Sequence, residues 1–157
     1  MTSTELLEKY GYQDKIVDMI ALSRKLGFNV IIDKVNVMKE DLGSLLVWKE
    51  KNIRAITING RQSKDYIRFV IAYLIAAYIE NGNDEKFVAK ANYVEFSKEE
   101  NEGLLAFATD ILLPDKLLSE KNINLENLKY EDLKSIKEEF CVPNKVLEKK
   151  MKKVGDN

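Results

Sequence analysis

The sequence predicts an α+β fold in which a lead helix and a small sheet precede a helical body. Two observations indicate this class. Short runs of β-branched and apolar residues lie between residues 28 and 58, and longer runs with helical character follow residue 66. The chain has 157 residues, enough for one hydrophobic core, and neither a repeat nor a linker divides it. We therefore expect residues 1–157 to form a single domain.

The first half of the chain is expected to contain one helix and three strands. Apolar residues recur at roughly helical spacing over Leu6–Leu26, and Gly27 follows as a plausible stop. Phe28–Val35 is rich in β-branched residues, Ser44–Trp48 is a second short strand, and Ile53–Ile58 alternates with a period of two. Because the strands are close in sequence, we expect a small three-stranded antiparallel sheet whose last two strands form a hairpin.

The second half of the chain is expected to be helical. The segment Tyr66–Ile79 is apolar nearly all round, which is typical of a helix buried at the centre of a domain. Ser97 and Glu100 have the spacing of a capping box and predict the start of a helix that ends at Leu113. The remaining predicted helices are Tyr130–Phe140 and Pro143–Val154.

Composition excludes several classes of function. The chain has no histidine, which excludes imidazole-based acid–base catalysis and imidazole metal ligands. The single cysteine, Cys141, cannot form an internal disulfide and fits a reducing compartment. Lys and Arg (25) nearly balance Asp and Glu (26), which argues against nucleic acid as the main partner. The start of the chain lacks the apolar stretch of a signal peptide, and no apolar run has the length of a membrane span, so we expect a cytoplasmic protein without a membrane partner.

Three stretches, taken in order, carry a family resemblance. Arg68–Ala77 matches an Arg-Phe-x-x-Ala segment running into a His-Glu-x-x-His zinc motif, and Phe107–Pro114 matches Phe-Ala-x-x-Leu-Leu-Met-Pro. Phe140–Pro143, with Val146 and Met151 after it, matches a closing Phe-x-Val-Ser/Pro helix pair. Together they resemble the ImmA/IrrE family of metallopeptidase-like proteins over roughly residues 12–154. The resemblance implies a zincin-like fold, and it suggests a phage or mobile-element setting.

The sequence departs from that family at the zinc motif itself. The two ligand positions, i and i+4 on one helix face, correspond to Tyr73 and Ala77, and the general-base position corresponds to Leu74. Neither alanine nor leucine can bind zinc or accept a proton, and a tyrosine would have to ionise first. The family's third ligand is a glutamate, for which Glu99, Glu100 and Glu102 are candidates. We therefore expect no catalytic residue, no metal and no cofactor.

Five residues are candidates for binding a partner: Tyr73, Arg68, Trp48, Arg54 and Glu102. All but Arg54 also have a simpler structural explanation, which the sequence favours. Tyr73 fits core packing with its hydroxyl near an acidic residue at 99–102, and Arg68 fits an ion pair with Asp65.

Two further charged features have simple structural explanations. Asp110 fits a side chain that faces water. The lysines 145, 149, 150, 152 and 153 fit a solvated basic helix end.

These observations lead to one main hypothesis for function. The chain is expected to be an inactive metallopeptidase-like protein that regulates or inhibits a helix-turn-helix repressor, or a host or defence protein, by binding it. The expected contact surface lies between the central helix and the sheet edge, where Ile53–Ile58 and Ser44–Trp48 are candidates for strand addition. Two alternatives stay open: an enzyme with a carboxylate-bound metal, and nucleic-acid binding through the lysine-rich C-terminal helix.

Overall fold

A computed structural model of the chain describes residues 1–35 and 38–155, with side chains described as far as residue 152. It shows an α+β fold built on an open four-stranded sheet. Two short 3-10 helices, Glu99–Asn101 and Leu125–Asn127, lie between longer elements. The helices and strands in chain order are α1 (Ser3–Lys9), α2 (Met19–Lys25), β1 (Asn29–Asp33), β2 (Gly43–Trp48), β3 (Ile53–Asn59), α3 (Lys64–Asn81), β4 (Lys86–Ala91), α4 (Tyr93–Ser97), α5 (Glu102–Leu112), α6 (Asp115–Glu120), α7 (Tyr130–Phe140) and α8 (Asn144–Gly155).

The sheet has the strand order β1-β3-β2-β4, and it is mixed rather than antiparallel. The predicted hairpin is confirmed, with Trp48 of β2 opposite Ile53 of β3. The prediction of three antiparallel strands is wrong, because β1 pairs parallel to β3 and β4 adds a fourth strand beside β2. After β1 the chain leaves one strand position open before it enters β2. The hairpin then returns β3 into that position, which makes β3 parallel to β1.

The predicted helix Leu6–Leu26 is two helices, α1 and α2. Gly11, two residues after α1, has φ of +77°, a left-handed conformation that glycine adopts readily, and it turns the chain out of the helix. Asp18 then begins α2 by accepting a hydrogen bond from the Ala21 N–H at 3.0 Å. Leu6 and Leu22 are both fully buried in the same core, which explains why helical spacing appeared to continue across the break.

Helix α3 is the buried centre of the fold, as the sequence predicts. It packs against β2, β3, β4 and α5, and residues Phe69–Ala77 are all buried. Burial of each large apolar side chain contributes roughly 1.5–3 kcal/mol, so this helix is a main source of stability. It also lies very close to β2, because a Cβ added to Gly43 would lie 2.6 Å from a methyl carbon of Val70.

Helix α5 begins later than predicted. Ser97 does not cap it, because this residue ends α4 and its hydroxyl donates to the Val94 carbonyl at 2.7 Å. The 3-10 turn Glu99–Asn101 intervenes, and α5 starts at Glu102. The predicted bounds of α7 agree with the structure, and α8 begins directly after Pro143. Within residues 1–35 and 38–155, no helix is both long and apolar enough to cross a membrane.

Candidate binding cleft

A cleft of about 370 Å³ lies between helix α3 and the outermost strand, β4. Its floor is formed by Tyr73 and Ala77 of α3, and one wall is β4 itself. The opposite wall comes from Glu95 of α4, Asn101 of the following 3-10 helix and Leu104 of α5. We call this space the α3–β4 cleft, and its lining residues are Tyr73, Ala77, Asn81, Phe87, Val88, Ala89, Lys90, Glu95, Asn101 and Leu104.

The strand at the open edge of the sheet differs from the two that the sequence suggested. Ser44–Trp48 and Ile53–Ile58 fall in β2 and β3, which are interior strands with neighbours on both sides. Their edges are therefore closed to an added peptide. The two edge strands are β1 and β4, and β4 is the one that borders the cleft.

The three positions that the ImmA/IrrE resemblance assigns to a zinc motif do not meet at one place. Tyr73 and Ala77 are one helical turn apart and both line the cleft. Leu74 points the other way, is fully buried, and lies 3.1 Å from the position that a Cβ on Gly43 would occupy. Leu74 therefore belongs to the packing between α3 and β2.

Tyr73 is a neutral, buried ring at the cleft floor. Its residue exposure is 2%, and the ring packs edge-on against Phe96 with centroids 5.0 Å apart. Burial, with a smaller contribution from the charge of Glu95, raises the pKa of Tyr73 to about 12. The carboxylate that acts on Tyr73 thus comes from residue 95 and not from residues 99–102, contrary to the sequence interpretation.

Glu95 is a fixed carboxylate on the far wall of the cleft. Its Oε1 lies 2.7 Å from Lys98 Nζ, and its Oε2 accepts a hydrogen bond from Asn101 Nδ2 at 3.2 Å. These contacts, led by the hydrogen bond from Lys98, hold the pKa of Glu95 below its usual value. Asn92 caps the start of α4 by accepting from the Glu95 N–H at 2.8 Å, which fixes the position of this residue.

The donor groups at the cleft do not fit a zinc ion. The floor offers Ala77, which has no donor atom, and the Tyr73 phenol, whose pKa is raised to about 12, so neither residue supplies a basic donor at neutral pH. The Glu95 carboxylate is already engaged by Lys98 and Asn101. Within the described part of the chain, no three His, Cys, Asp or Glu side chains are grouped so that they could hold a metal ion.

An aromatic cluster closes the cleft at the start of α3. Phe96 of α4 packs against Phe69 as well as Tyr73, with ring centroids 5.1 Å apart for the Phe69 pair. Lys145 of α8 lies over this cluster, with Nζ 4.6 Å from the Phe96 ring centroid, and burial lowers the pKa of its ammonium. Lys145 thereby connects α8 to the aromatic rings that pack behind Tyr73.

Arg68 lies outside the cleft and joins separate parts of the chain. Its guanidinium donates to the carbonyls of Val17, Phe140 and Cys141. The expected ion pair with Asp65 does not form among the described residues, because the guanidinium is engaged by these three carbonyls. The Asp65 carboxylate accepts from the Tyr66 N–H at 2.9 Å instead. Burial lowers the pKa of Arg68 from its usual value. Arg68 therefore has a structural role, because it connects the end of α7 to the core.

Trp48 and Arg54 lie on opposite faces of the sheet, and neither lines the cleft. Trp48 is half-buried on the face away from α3, with Lys86 Nζ 4.3 Å from its ring centroid. Arg54 packs between the rings of Phe28 and Tyr78 and donates to the Leu26 carbonyl at 2.6 Å. These contacts give Arg54 a role in packing and not in partner binding.

Glu102 is exposed at the start of α5 and does not line the cleft. Of the five predicted binding residues, the structure places Tyr73 in the cleft and the other four elsewhere.

The C-terminal lysines are not a uniformly solvated end. Lys150 is 1% exposed, and its ammonium lies 3.0 Å from Asp110 Oδ1 and 2.6 Å from Asp115 Oδ1. Asp110 therefore faces Lys150, and the interpretation that it faces water is wrong. The side chain of Lys153 lies outside the described residues.

The sequence analysis did not predict strand β4, and it did not single out Glu95 and Asn101, which form the opposite wall of the cleft. A signal for β4 was present, because Lys86 and Lys90 fall on the same face of a strand and the residues between them are apolar. Asn92, three residues before Glu95, was a signal for the start of α4. No protein-family model matches the chain, and no curated protein matches it.

Proposed function

We propose that this chain is a catalytically inactive, metallopeptidase-like protein that binds an extended segment of a partner protein in the α3–β4 cleft. One observation carries the proposal: the open edge of β4 borders a cleft whose floor is formed by Tyr73 and Ala77. By the ImmA/IrrE resemblance, these two residues would stand at the ligand positions of a zinc motif. The resemblance to the ImmA/IrrE family supports a zincin-like origin for this arrangement. It also supports a helix-turn-helix repressor, or a host or defence protein, as the partner.

The backbone of β4 supports strand addition at this edge. The carbonyls of Glu85 and Ala91 accept hydrogen bonds from the N–H groups of Lys49 and Leu42, at 2.9 and 2.8 Å. The backbone N–H and C=O groups of odd-numbered residues in this strand therefore point towards β2. Since these groups alternate along an antiparallel ladder, the N–H and C=O groups of Lys86, Val88 and Lys90 face the open edge. A peptide that pairs with these groups gains backbone hydrogen bonds and needs no catalytic residue to do so.

The cleft supports binding better than hydrolysis. A metallopeptidase needs a polarised water and a base that accepts its proton. Here the base position is the buried Leu74, and the phenol of Tyr73 stays protonated at neutral pH. The partner would be occluded and left intact.

A comparison of two variants at one position tests the proposal. Val88→Pro removes a backbone N–H that faces the open edge and places a ring there. Val88→Thr keeps this backbone N–H and has a side chain of similar shape. The native partner, captured from the source cell and recovered at its intact mass, is expected with the wild type and Val88→Thr and lost with Val88→Pro. Equal capture by all three proteins would contradict binding at this edge.

Filling the cleft provides an independent test. Asn81 is exposed at the end of α3 and lines the cleft, so Asn81→Trp adds bulk there without disturbing the core. This variant is expected to lose the same partner. Retention of the partner by Asn81→Trp and by Val88→Pro would place the contact elsewhere on the molecule.

A further inference from the structure

The geometry points to charge selection at this edge: we infer that the α3–β4 cleft takes an extended segment of the pattern acidic–apolar–apolar–apolar–acidic. In this pattern the two acidic residues lie opposite Lys86 and Lys90, and the central apolar residue lies opposite Val88. This inference rests on the proposed function, because it names the chemistry of the segment that the cleft would bind.

The register follows from the pairing of β4 with β2. Lys86, Val88 and Lys90 pair with Trp48, Leu46 and Ser44, which lie on the sheet face away from α3. Side chains directly opposite each other on paired strands share a face. A strand added to β4 would therefore place every second side chain beside this row of Lys86, Val88 and Lys90, and the side chains between them would point towards the cleft floor.

The outer row of β4 carries two positive charges around one apolar residue. Val88 is 53% exposed, and both lysines are exposed. Lys90 Nζ lies 3.9 Å from Asp41 Oδ2, a distance at which it keeps room for a second carboxylate. Lys86 lies over Trp48. Opposite-charge pairs across strands are favourable, so acidic residues at the two ends of the segment complement this row.

The inward positions call for apolar side chains. They would lie beside Phe87 and Ala89, above the floor formed by Tyr73 and Ala77. Ala77 is small, and the hydroxyl of Tyr73 is the chief polar group of the floor, so a medium-sized aliphatic side chain buries its surface there without leaving a charge unpaired. Charged residues at these two positions would be disfavoured.

The same charges argue against a second copy of this chain as the occupant. Lys86 and Lys90 lie symmetrically about Val88, so two β4 strands centred on Val88 would bring lysine opposite lysine in either orientation. Like charges directly opposite each other destabilise strand pairing. Lysines at an edge are a common means of preventing self-association, and here they also leave the edge available to an acidic segment.

Two blocked synthetic peptides test the inference: acetyl-Gly-Glu-Leu-Val-Leu-Glu-Gly-amide and its counterpart with lysine at both glutamate positions. Trp48 is the only tryptophan, and a carboxylate that draws Lys86 from its ring is expected to change its fluorescence. The acidic peptide is expected to bind at least about tenfold more tightly than the basic one at low salt, with a preference that weakens as salt is added.

Charge reversal in the protein provides the matched control. Lys86→Glu/Lys90→Glu is expected to reverse the preference, so that the basic peptide binds more tightly. The control Lys116→Glu/Lys134→Glu changes net charge equally at two exposed residues outside the cleft and is expected to leave the preference for the acidic peptide unchanged. Circular dichroism spectra and unfolding midpoints check that all variants fold.

Three outcomes would overturn charge selection. Equal binding of both peptides, abolished by Val88→Pro, would show that the edge binds strands without reading their charge, and the proposed function would stand. Binding of neither peptide, or a preference that follows net charge in the control variant, would also refute the inference. The proposed function is then decided separately by the partner-capture comparison, which does not depend on these peptides.

Discussion

Lys150 of α8 and Asp110 of α5 form an ion pair in which Nζ lies 3.0 Å from Oδ1 and the lysine is 1% exposed. A second carboxylate, that of Asp115, lies 2.6 Å from the same ammonium but is 81% exposed. The pair joins the C-terminal helix to the helix that packs against α3. Lys150 therefore depends on its partner more than Asp110 does, because the lysine is removed from water and Asp110 is partly exposed.

We expect Asp110→Asn to destabilise the protein more than Lys150→Met. The first change leaves a buried ammonium with one exposed partner and should cost roughly 2–3 kcal/mol, whereas the second replaces the buried charge with an apolar side chain of similar length and should cost less. Free energies of unfolding from urea titrations of both variants measure the difference. A larger loss for Lys150→Met would mean that the ammonium itself stabilises the fold.

We expect Arg68→Lys to lower the free energy of unfolding by roughly 2–4 kcal/mol, because one ammonium cannot reach three carbonyls from separate segments. The carbonyls of Val17, Phe140 and Cys141 would then lose their common donor. Arg61→Lys, at an exposed position, is the matched control and should be nearly neutral. A neutral Arg68→Lys in the same denaturant titration would refute this structural role.

The direction of the β4 backbone can be tested by proline substitution. Val88→Pro removes an N–H that faces the open edge and should change stability by no more than about 1 kcal/mol. Ala89→Pro removes an N–H that faces β2 and leaves a β2 carbonyl without its donor, which should cost roughly 1–3 kcal/mol beyond the cost of Val88→Pro. Thermal unfolding of the two variants checks the difference, and equal costs would contradict the assignment of the edge that faces the cleft.

Tyr73 predicts a loss of stability at high pH. Its pKa is raised to about 12 in the folded protein against 10 for a free phenol, so between these values the unfolded chain binds fewer protons than the folded chain. Stability is then complete below pH 10 and falls as the pH rises towards 12. Burial raises the pKa of Tyr66 to about 12 as well, so Tyr73→Phe should remove part of the effect. Ultraviolet titration at 295 nm should show one fewer late-ionising tyrosine in this variant.

Sequence reasoning succeeded where neighbouring residues determine the structure. The alternation in Ile53–Ile58 and the apolar run in Tyr66–Ile79 predicted β3 and α3, because burial of one or all faces leaves a local pattern. It failed at the parallel pairing of β1 with β3, because Val30 and Ile56 become neighbours only through the path of the chain between them. Gly11 was overlooked because apolar spacing continued on both sides of it.

The candidate site could be predicted only in part for a related reason. The motif positions Tyr73 and Ala77 follow from their spacing on one helix, and the structure places both in the cleft. Glu95 and β4 reach the same cleft from distant segments that pack against α3, and local spacing carries no information on that meeting. Asp110 and Lys150 show the same limit, since a charge within an apolar helix gives no sign of a partner forty residues away.

The intact mass of the captured partner, measured after incubation with this protein and added zinc, tests the central claim most directly. A protein that holds a strand beside Tyr73 and Ala77 but lacks a base and metal ligands should return the partner at its full mass, with or without a chelator. Discrete fragments of the partner that form with zinc and disappear with the chelator would contradict the account.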